Sequence, residues 1–102
     1  MKEYDLYIPL YDNEGRRLPR RKLATLKESL VDEFGGLTHF RQKNEGLWKI
    51  GAFTFRDEIV IFRVLTDEEE KAQQFFARLK RQMEREWQQA DVLIIERDVR
   101  KV

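Results

Sequence analysis

The chain has 102 residues, which is the size of one compact domain and leaves no room for a second. Its 41% hydrophobic content excludes a disordered chain, and its net charge of +1 excludes a globally basic nucleic-acid coat. The absence of cysteine excludes disulfides, thiolate metal sites and cysteine nucleophiles. No apolar stretch at the N-terminus suits a signal peptide, and no run approaches the roughly 20 apolar residues of a membrane span. We therefore predict one soluble, cytoplasmic domain over residues 1–102 that has no membrane partner.

The first third of the chain predicts a strand followed by a helix. Residues 4–11 alternate with a period of two, which is typical of a strand, and the polar cluster at 12–15 predicts a turn. Pro19 suits the first turn of a helix, because its missing N–H would be unpaired there in any case. Leucines then recur at helical spacing as far as Gly35-Gly36, a pair that favours a left-handed stop. We place this helix at residues 19–34.

The middle of the chain predicts a long β-hairpin. Residues 37–42 and 47–65 are rich in aromatic and β-branched types, which favour strands. The intervening residues 43–46 (KNEG) predict the turn, and Gly51 predicts a second bend or a bulge.

The last third predicts a second helix and a last strand. Thr66 and Glu69 fit a capping box, in which the threonine hydroxyl accepts at the helix start and the glutamate reaches back. One apolar stripe then continues to about residue 89, formed by Ala72, Phe75, Phe76, Leu79, Met83 and Trp87. Residues 92–99 form the predicted last strand.

The βαββαβ order of these elements predicts an α+β ferredoxin-like sandwich, a four-stranded antiparallel sheet with two helices on one face. We expect the first and third strands at the centre of the sheet. We also expect these two strands to run parallel, so that both helices begin at the same end of the sheet.

Side chains that could support catalysis are scarce. Ser29, the single serine, lies inside the first predicted helix, and His39, the single histidine, lies on a strand. A nucleophilic pair would need them adjacent, and one histidine cannot supply a zinc site. His39 could act alone as a general acid or base, although a structural role is commoner. No glycine-rich phosphate loop occurs. We predict no catalytic residue, no metal and no cofactor.

A basic segment at residues 16–27 opposes the dipole of the first helix, whose N-terminus favours negative charge. Three explanations are open. The acidic residues 67–70 at the start of the second helix could neutralise the basic segment. Alternatively, the segment binds a nucleic acid or another anion, or its side chains are simply solvated. The basic side chains are Arg16, Arg17, Arg20, Arg21, Lys22 and Lys27.

Short motifs carry two resemblances. The pieces FGGLT at 34–38, EGLW at 45–48 and RDEIVIF at 56–62 resemble a pattern in small uncharacterised bacterial proteins of ferredoxin-like build. Its matching residues are Phe34, Gly35, Gly36, Thr38, Gly46 and Trp48. This resemblance implies the fold and a bacterial source, but no activity.

The element order also resembles that of the RNA recognition motif, in which aromatic residues on the central strands stack on bases. LYIPL at 6–10 is similar to the first-strand signature of that family, which would make Tyr7 a stacking residue. GAFTF at 51–55 departs from the third-strand signature, because its glycine and phenylalanines are in a different frame.

The predicted sheet is apolar on both faces, although helices would cover only one. The open face of such a sheet normally alternates to polar residues. We therefore expect a cover, which is either a second copy or the chain itself through its C-terminus or its 47–56 segment. The predicted interface residues are Tyr7, Trp48, Val60, Phe62 and Val64.

Three classes of function follow from these patterns. The first is a non-catalytic homodimeric interaction module that uses the open sheet face. The second is a nucleic-acid or polyanion binder that uses the basic segment and the sheet aromatics. The third is a small-molecule enzyme of the dimeric α+β barrel type, with a polar group in a cavity between sheet and partner.

Overall fold

The strands and helices follow one another in the predicted order. The computed structural model describes residues 1–89 and 92–102. These residues form β1 (Lys2–Pro9), α1 (Arg20–Phe34), β2 (Thr38–Ile50), β3 (Phe53–Thr66), α2 (Glu69–Glu86) and β4 (Leu93–Asp98). The strands make one antiparallel sheet in the order β2-β3-β1-β4, and the helices cover one face of it. The ferredoxin-like α+β fold and the central position of β1 and β3 are confirmed.

The hydrophobic core lies between the sheet and the two helices. Alternate residues of β1 and β3 point into it, with Leu6 opposite Phe62 at its centre. Neither of these two side chains is exposed to solvent. They pack with leucines of α1 and with Ala72 and Phe76 of α2. The period-two pattern of the strands and the helical apolar stripes therefore meet in one layer.

A stack of aromatic rings joins β1 to both helices. The ring centroid of Phe76 lies 4.4 Å from that of Tyr4 and 5.4 Å from that of Phe34, in both cases with nearly parallel planes. Such pairs contribute about 0.5–1.5 kcal/mol each beyond their buried area. The stack therefore fixes the end of α1 and the start of α2 over the same part of the sheet.

The direction of the central strands differs from the prediction. β1 and β3 run antiparallel, with Lys2 opposite Thr66 and Pro9 opposite Ile59. The crossover through α1 makes β2 run in the direction of β1, and the hairpin then reverses β3. The prediction that the first and third strands run parallel is therefore wrong, and α1 and α2 begin at opposite ends of the sheet.

The β2–β3 hairpin is longer than predicted. The two strands pair as far as Ile50 and Phe53, and the chain reverses at Gly51, whose φ of 61° is a left-handed value. The predicted turn at 43–46 is wrong, because these residues belong to β2, next to an irregularity in pairing between Phe40 and Asn44. Residues 45–58 extend beyond the last pair of β1 with β3, and we call this two-stranded projection the arm.

The two helix starts differ in how closely they match the prediction. α1 begins after Pro19 and ends at Gly35, whose φ of 84° confirms the left-handed stop. α2 begins at Glu69. The residue before it, Glu68, occupies the N-cap position, but its side chain forms no capping hydrogen bond. Thr66 instead ends β3, where its hydroxyl accepts a hydrogen bond of 3.0 Å from the backbone N–H of Glu68. The capping-box prediction is therefore wrong, and Thr66 stabilises the turn before the helix.

Phe62→Ala should lower the free energy of unfolding by about 3–5 kcal/mol, because it leaves a cavity at a fully buried position. Leu65→Ala, on the same strand but on the open face, is the matched control and should cost less than about 1 kcal/mol at a protein concentration low enough to keep the chain monomeric. Denaturant unfolding followed by circular dichroism measures both. Equal losses would contradict the assignment of the two faces.

Candidate interaction surface

The face of the sheet away from the helices is formed by the other alternate residues of each strand. Tyr7 of β1 lies opposite Ile61 of β3 on this face. The predicted interface residues Val60, Phe62 and Val64 are instead buried in the core, so they cannot contact a partner. Their neighbours on the open side of β3 are Ile59, Ile61, Arg63 and Leu65.

One end of this open face carries a buried carboxylate between two arginines. Asp5 is only 2% exposed, and its two oxygens accept hydrogen bonds of 2.8 and 3.0 Å from Arg63. Arg97 donates a further bond of 2.8 Å, and Glu3 lies within 3.3 Å of both guanidinium groups. The sheet creates this cluster, because Arg63 lies opposite Asp5 on β3 and Arg97 lies opposite Glu3 on β4.

The charges of this cluster compensate one another. Hydrogen bonding from Arg63 lowers the pKa of Asp5 below its ordinary value, against the opposing effect of burial, and Arg97 adds to the lowering. The same bonds raise the pKa of both arginines. Two carboxylates therefore balance two guanidinium groups, and this end of the face presents little net charge.

The other end of the open face is the arm, and it is apolar. Trp48 lies opposite Phe55, and Ile50 lies opposite Phe53, all on the open side. Their exposed fractions are 43%, 50%, 65% and 70% respectively. The reversal at Gly51-Ala52 adds no polar side chain. A continuous apolar surface therefore reaches the tip of the arm.

Gly46 and Asp57 hold the tryptophan of the arm in place. A Cβ atom at position 46 would lie 3.3 Å from the indole nitrogen of Trp48, so the glycine leaves room for the ring. Burial raises the pKa of the Asp57 carboxyl, and its interaction with the Trp48 side chain opposes this rise. The Gly-x-Trp motif found in the sequence therefore has a local structural reason.

Three residues of this surface were not among the predicted interface residues, namely Ile50, Phe53 and Phe55. A sequence signal for them exists, because W-x-I and F-x-F alternate symmetrically about Gly51-Ala52. The arm projects beyond the sheet instead of folding back over it, which contradicts one of the predicted covers. The C-terminal residues 100–102 are exposed, so they do not cover the sheet either.

The basic segment has partners other than those expected. Arg16 forms ion pairs of 3.0 Å with Asp12 and 2.9 Å with Glu14, and the Arg17 guanidinium lies 5.6 Å from the ring centroid of Tyr11. Lys22 donates a 3.1 Å hydrogen bond to the carbonyl oxygen of Glu86, at the end of α2.

Residues 67–70 do not neutralise this segment. Asp67 lies 3.7 Å from the N-terminal amine, and Glu68 pairs with Lys71 at 3.0 Å. The predicted neutralisation is therefore wrong, because the antiparallel β1–β3 pairing puts the starts of the two helices at opposite ends. Arg20 and Arg21 are exposed and form no ion pair within residues 1–89 and 92–102.

His39 and Ser29 do not form a catalytic pair. The imidazole of His39 packs edge-on against Phe62, with ring centroids 4.7 Å apart, and its Nδ1 lies 3.4 Å from the Lys27 amine. Burial lowers the pKa of His39, and Lys27 and Arg41 add to this effect. Ser29 lines a groove of about 270 Å³ between α1 and α2, and in the described part of the chain no hydrogen bond joins it to His39.

Comparisons with known proteins add no assignment. No family model, curated protein or solved structure matches this chain. Over the described ranges, no cluster of three or more His, Cys, Asp or Glu side chains could hold a metal ion. No helix in those ranges is both long enough and apolar enough to cross a lipid bilayer.

Asp5→Asn should lower stability at neutral pH by about 1.5–3 kcal/mol, the usual range for hydrogen bonds to charged groups. The pKa of Asp5 is lower in the folded chain than in the unfolded chain, where it is about 3.9. Its carboxylate therefore stabilises the fold above that pH and loses this effect as the pH falls through the folded pKa.

Urea unfolding at a series of pH values tests this prediction. The difference between wild type and variant should shrink steadily below about pH 4. Glu14→Gln removes an exposed partner of Arg16 and serves as the control, with an expected loss of about 0.2–1 kcal/mol. A loss for Asp5→Asn that is the same at acidic and neutral pH would contradict the role of the charge.

Proposed function

We propose that this protein is a non-catalytic interaction module that assembles as a homodimer through the open face of its sheet and the arm. The apolar surface of the arm carries the proposal. Its four large side chains expose roughly 350–550 Å² in total, at about 150–250 Å² for each such residue when fully exposed. A continuous apolar patch of that size matches the largest patch that a typical soluble monomer exposes, and such patches are often interaction surfaces.

The charges on this face support a second copy as the partner. Asp57 is the one ionisable side chain on the open side of the arm, where it lies opposite Gly46 and interacts with the Trp48 side chain. At the other end of the face, Asp5 and Glu3 balance Arg63 and Arg97. Within the described residues, Asp57 is therefore the one charge of the arm's open side without a cationic partner, and the rest of the face is suitable for an isologous contact.

A polyanion binder is the second candidate. Arg20 and Arg21 favour it, because they are exposed at the start of α1, where no acidic residue occupies the first turn. Tyr7 does not favour it. Tyr7 lies on the same face as the cluster of Glu3, Asp5, Arg63 and Arg97, whose charges balance, so its surroundings offer phosphates no net positive charge. The homodimer is therefore the better supported function.

Wild-type protein should sediment at micromolar concentration as a species of twice the 12.4 kDa chain mass. Phe55→Ser should shift it towards the monomer, because the substitution removes apolar contact area from the arm. Val31→Ser is the matched control, since Val31 has a similar exposed fraction of 44% but lies on α1. It should leave the mass unchanged.

Both substitutions lie outside the core. At protein concentrations low enough to dissociate the dimer, both variants should therefore have the unfolding midpoint of the wild type. A wild-type protein that stays monomeric throughout this concentration range would overturn the proposal.

Retention on a sulfated polysaccharide matrix separates the second candidate from the first. For a homodimeric module we expect weak retention that Arg20→Ser and Arg21→Ser hardly change. A monomeric protein that elutes only at high salt, and that loses this retention in the double variant, would establish the polyanion binder instead.

A further inference from the structure

We propose that the two copies exchange their arms, so that the arm of each copy packs on the β2–β3 part of the other copy's sheet near Phe40 and Leu65. This arrangement rests on the homodimer proposed above and adds its geometry. Its symmetry axis would run across the strands, close to Ile59.

The distribution of exposed apolar residues on the open face carries this inference. They fall into two groups on the same two strands, with Ile59 between them. The first group is the four apolar residues of the arm. On β3 they precede Ile59, and on β2 they follow Asn44, which pairs with Ile59. The second group is Phe40 and Leu65, which are 39% and 49% exposed. A two-fold contact in which each arm packs away from its own symmetry mate needs two such groups, because each copy must then offer one and receive the other.

The spacing of the two groups matches. Phe53 lies six residues before Ile59, and Leu65 lies six residues after it on the same strand. At about 3.3 Å per residue, each lies roughly 20 Å from the axis. A two-fold rotation about that axis, with the sheets face to face, therefore puts Phe53 of one copy over Leu65 of the other.

The same rotation brings an aromatic ring to Arg63. Phe55 lies four residues before Ile59 and Arg63 four residues after it, so the ring would lie over the other copy's guanidinium. Arg63 already lies 5.0 Å from the ring centroid of Phe40. An arginine held flat by Asp5 can present its second face to another ring, which is a favourable cation–π arrangement.

The buried area separates this geometry from a simpler one. If the two arms packed only on each other, each copy would bury roughly the 350–550 Å² of its arm, whereas stable interfaces bury about 800 Å² per partner. Phe40 and Leu65 would also stay exposed. Exchange buries the arm and a matching area of the sheet in each copy, which doubles the contact and covers both groups.

Crosslinking through single cysteines tests the exchange, because the native chain contains none. Ala52→Cys marks the exposed tip of the arm without removing its large apolar side chains, and Leu65→Cys marks the far end of β3. The two variants are co-expressed with different tags and treated with a bismaleimide of about 10 Å reach, the usual distance between packed sheets. Sedimentation of each variant first shows that it still dimerises.

Arm exchange predicts a crosslink between the two differently tagged chains and none within either variant alone. A crosslink of Ala52→Cys with itself would show that the arms pack on each other, and it would overturn the exchange but leave the homodimer intact. Dimers that form no crosslink at all would overturn the exchange as well. A monomeric wild-type protein would instead overturn the homodimer and the exchange together.

Discussion

The length of β1 limits the packed part of the molecule. β1 has 8 residues, whereas β2 and β3 have 13 and 14. Pro9 has no N–H to donate, and after one further bond, from the Leu10 N–H to the Glu58 carbonyl, the chain turns towards α1. The sheet therefore narrows to two strands beyond this point, and the core cluster contains no residue of the arm. A two-stranded ribbon without a covering layer is only marginally stable in water.

The antiparallel direction of β1 and β3 also arranges the charges at the helix ends. Each helix begins beside the end of the other, and the third residue of each is a lysine. Lys22 donates to the carbonyl of Glu86, and Lys71 donates a 3.0 Å bond to the carbonyl of Glu33. Each ammonium group therefore satisfies a carbonyl at the negative end of the neighbouring dipole. Lys22 therefore has a stabilising role within the fold, whereas Arg20 and Arg21 form no ion pair within residues 1–89 and 92–102.

Local sequence patterns predicted the strands and helices well. They did not predict the relative direction of β1 and β3 or which side of β3 faces the core. The alternation in β1, the leucine spacing of α1 and the Gly35 stop each depend on a few neighbouring residues, and each appears in the structure. The turn at 43–46 was wrong because Asn44 and Gly46 also suit an exposed strand beside a bulge, while the true reversal at Gly51 carries apolar neighbours. The faces of β3 could not be distinguished from its apolar residues, since Ile59, Ile61 and Leu65 are as apolar as Val60, Phe62 and Val64. Within the strand, Arg63 is the one signal for the outer side, because it shares a side with Ile61 and Leu65 by alternation and lies opposite Asp5.

The arm has the side-chain pattern of a strand pair that is covered on one face. On the helix side its charged residues alternate with Leu47 and Thr54, and Arg56 lies 3.7 Å from Glu45. On the open side Trp48, Ile50, Phe53 and Phe55 follow one another, with Asp57 as the single charge. This division between the faces is typical of a sheet with one buried side, and in an exposed ribbon it creates a hazard of aggregation. Nothing in the described part of the chain covers these four side chains, and they contribute nothing to the core. The area that these side chains still expose can therefore be buried only through association, and the second apolar group at Phe40 and Leu65 gives that association a symmetric partner surface.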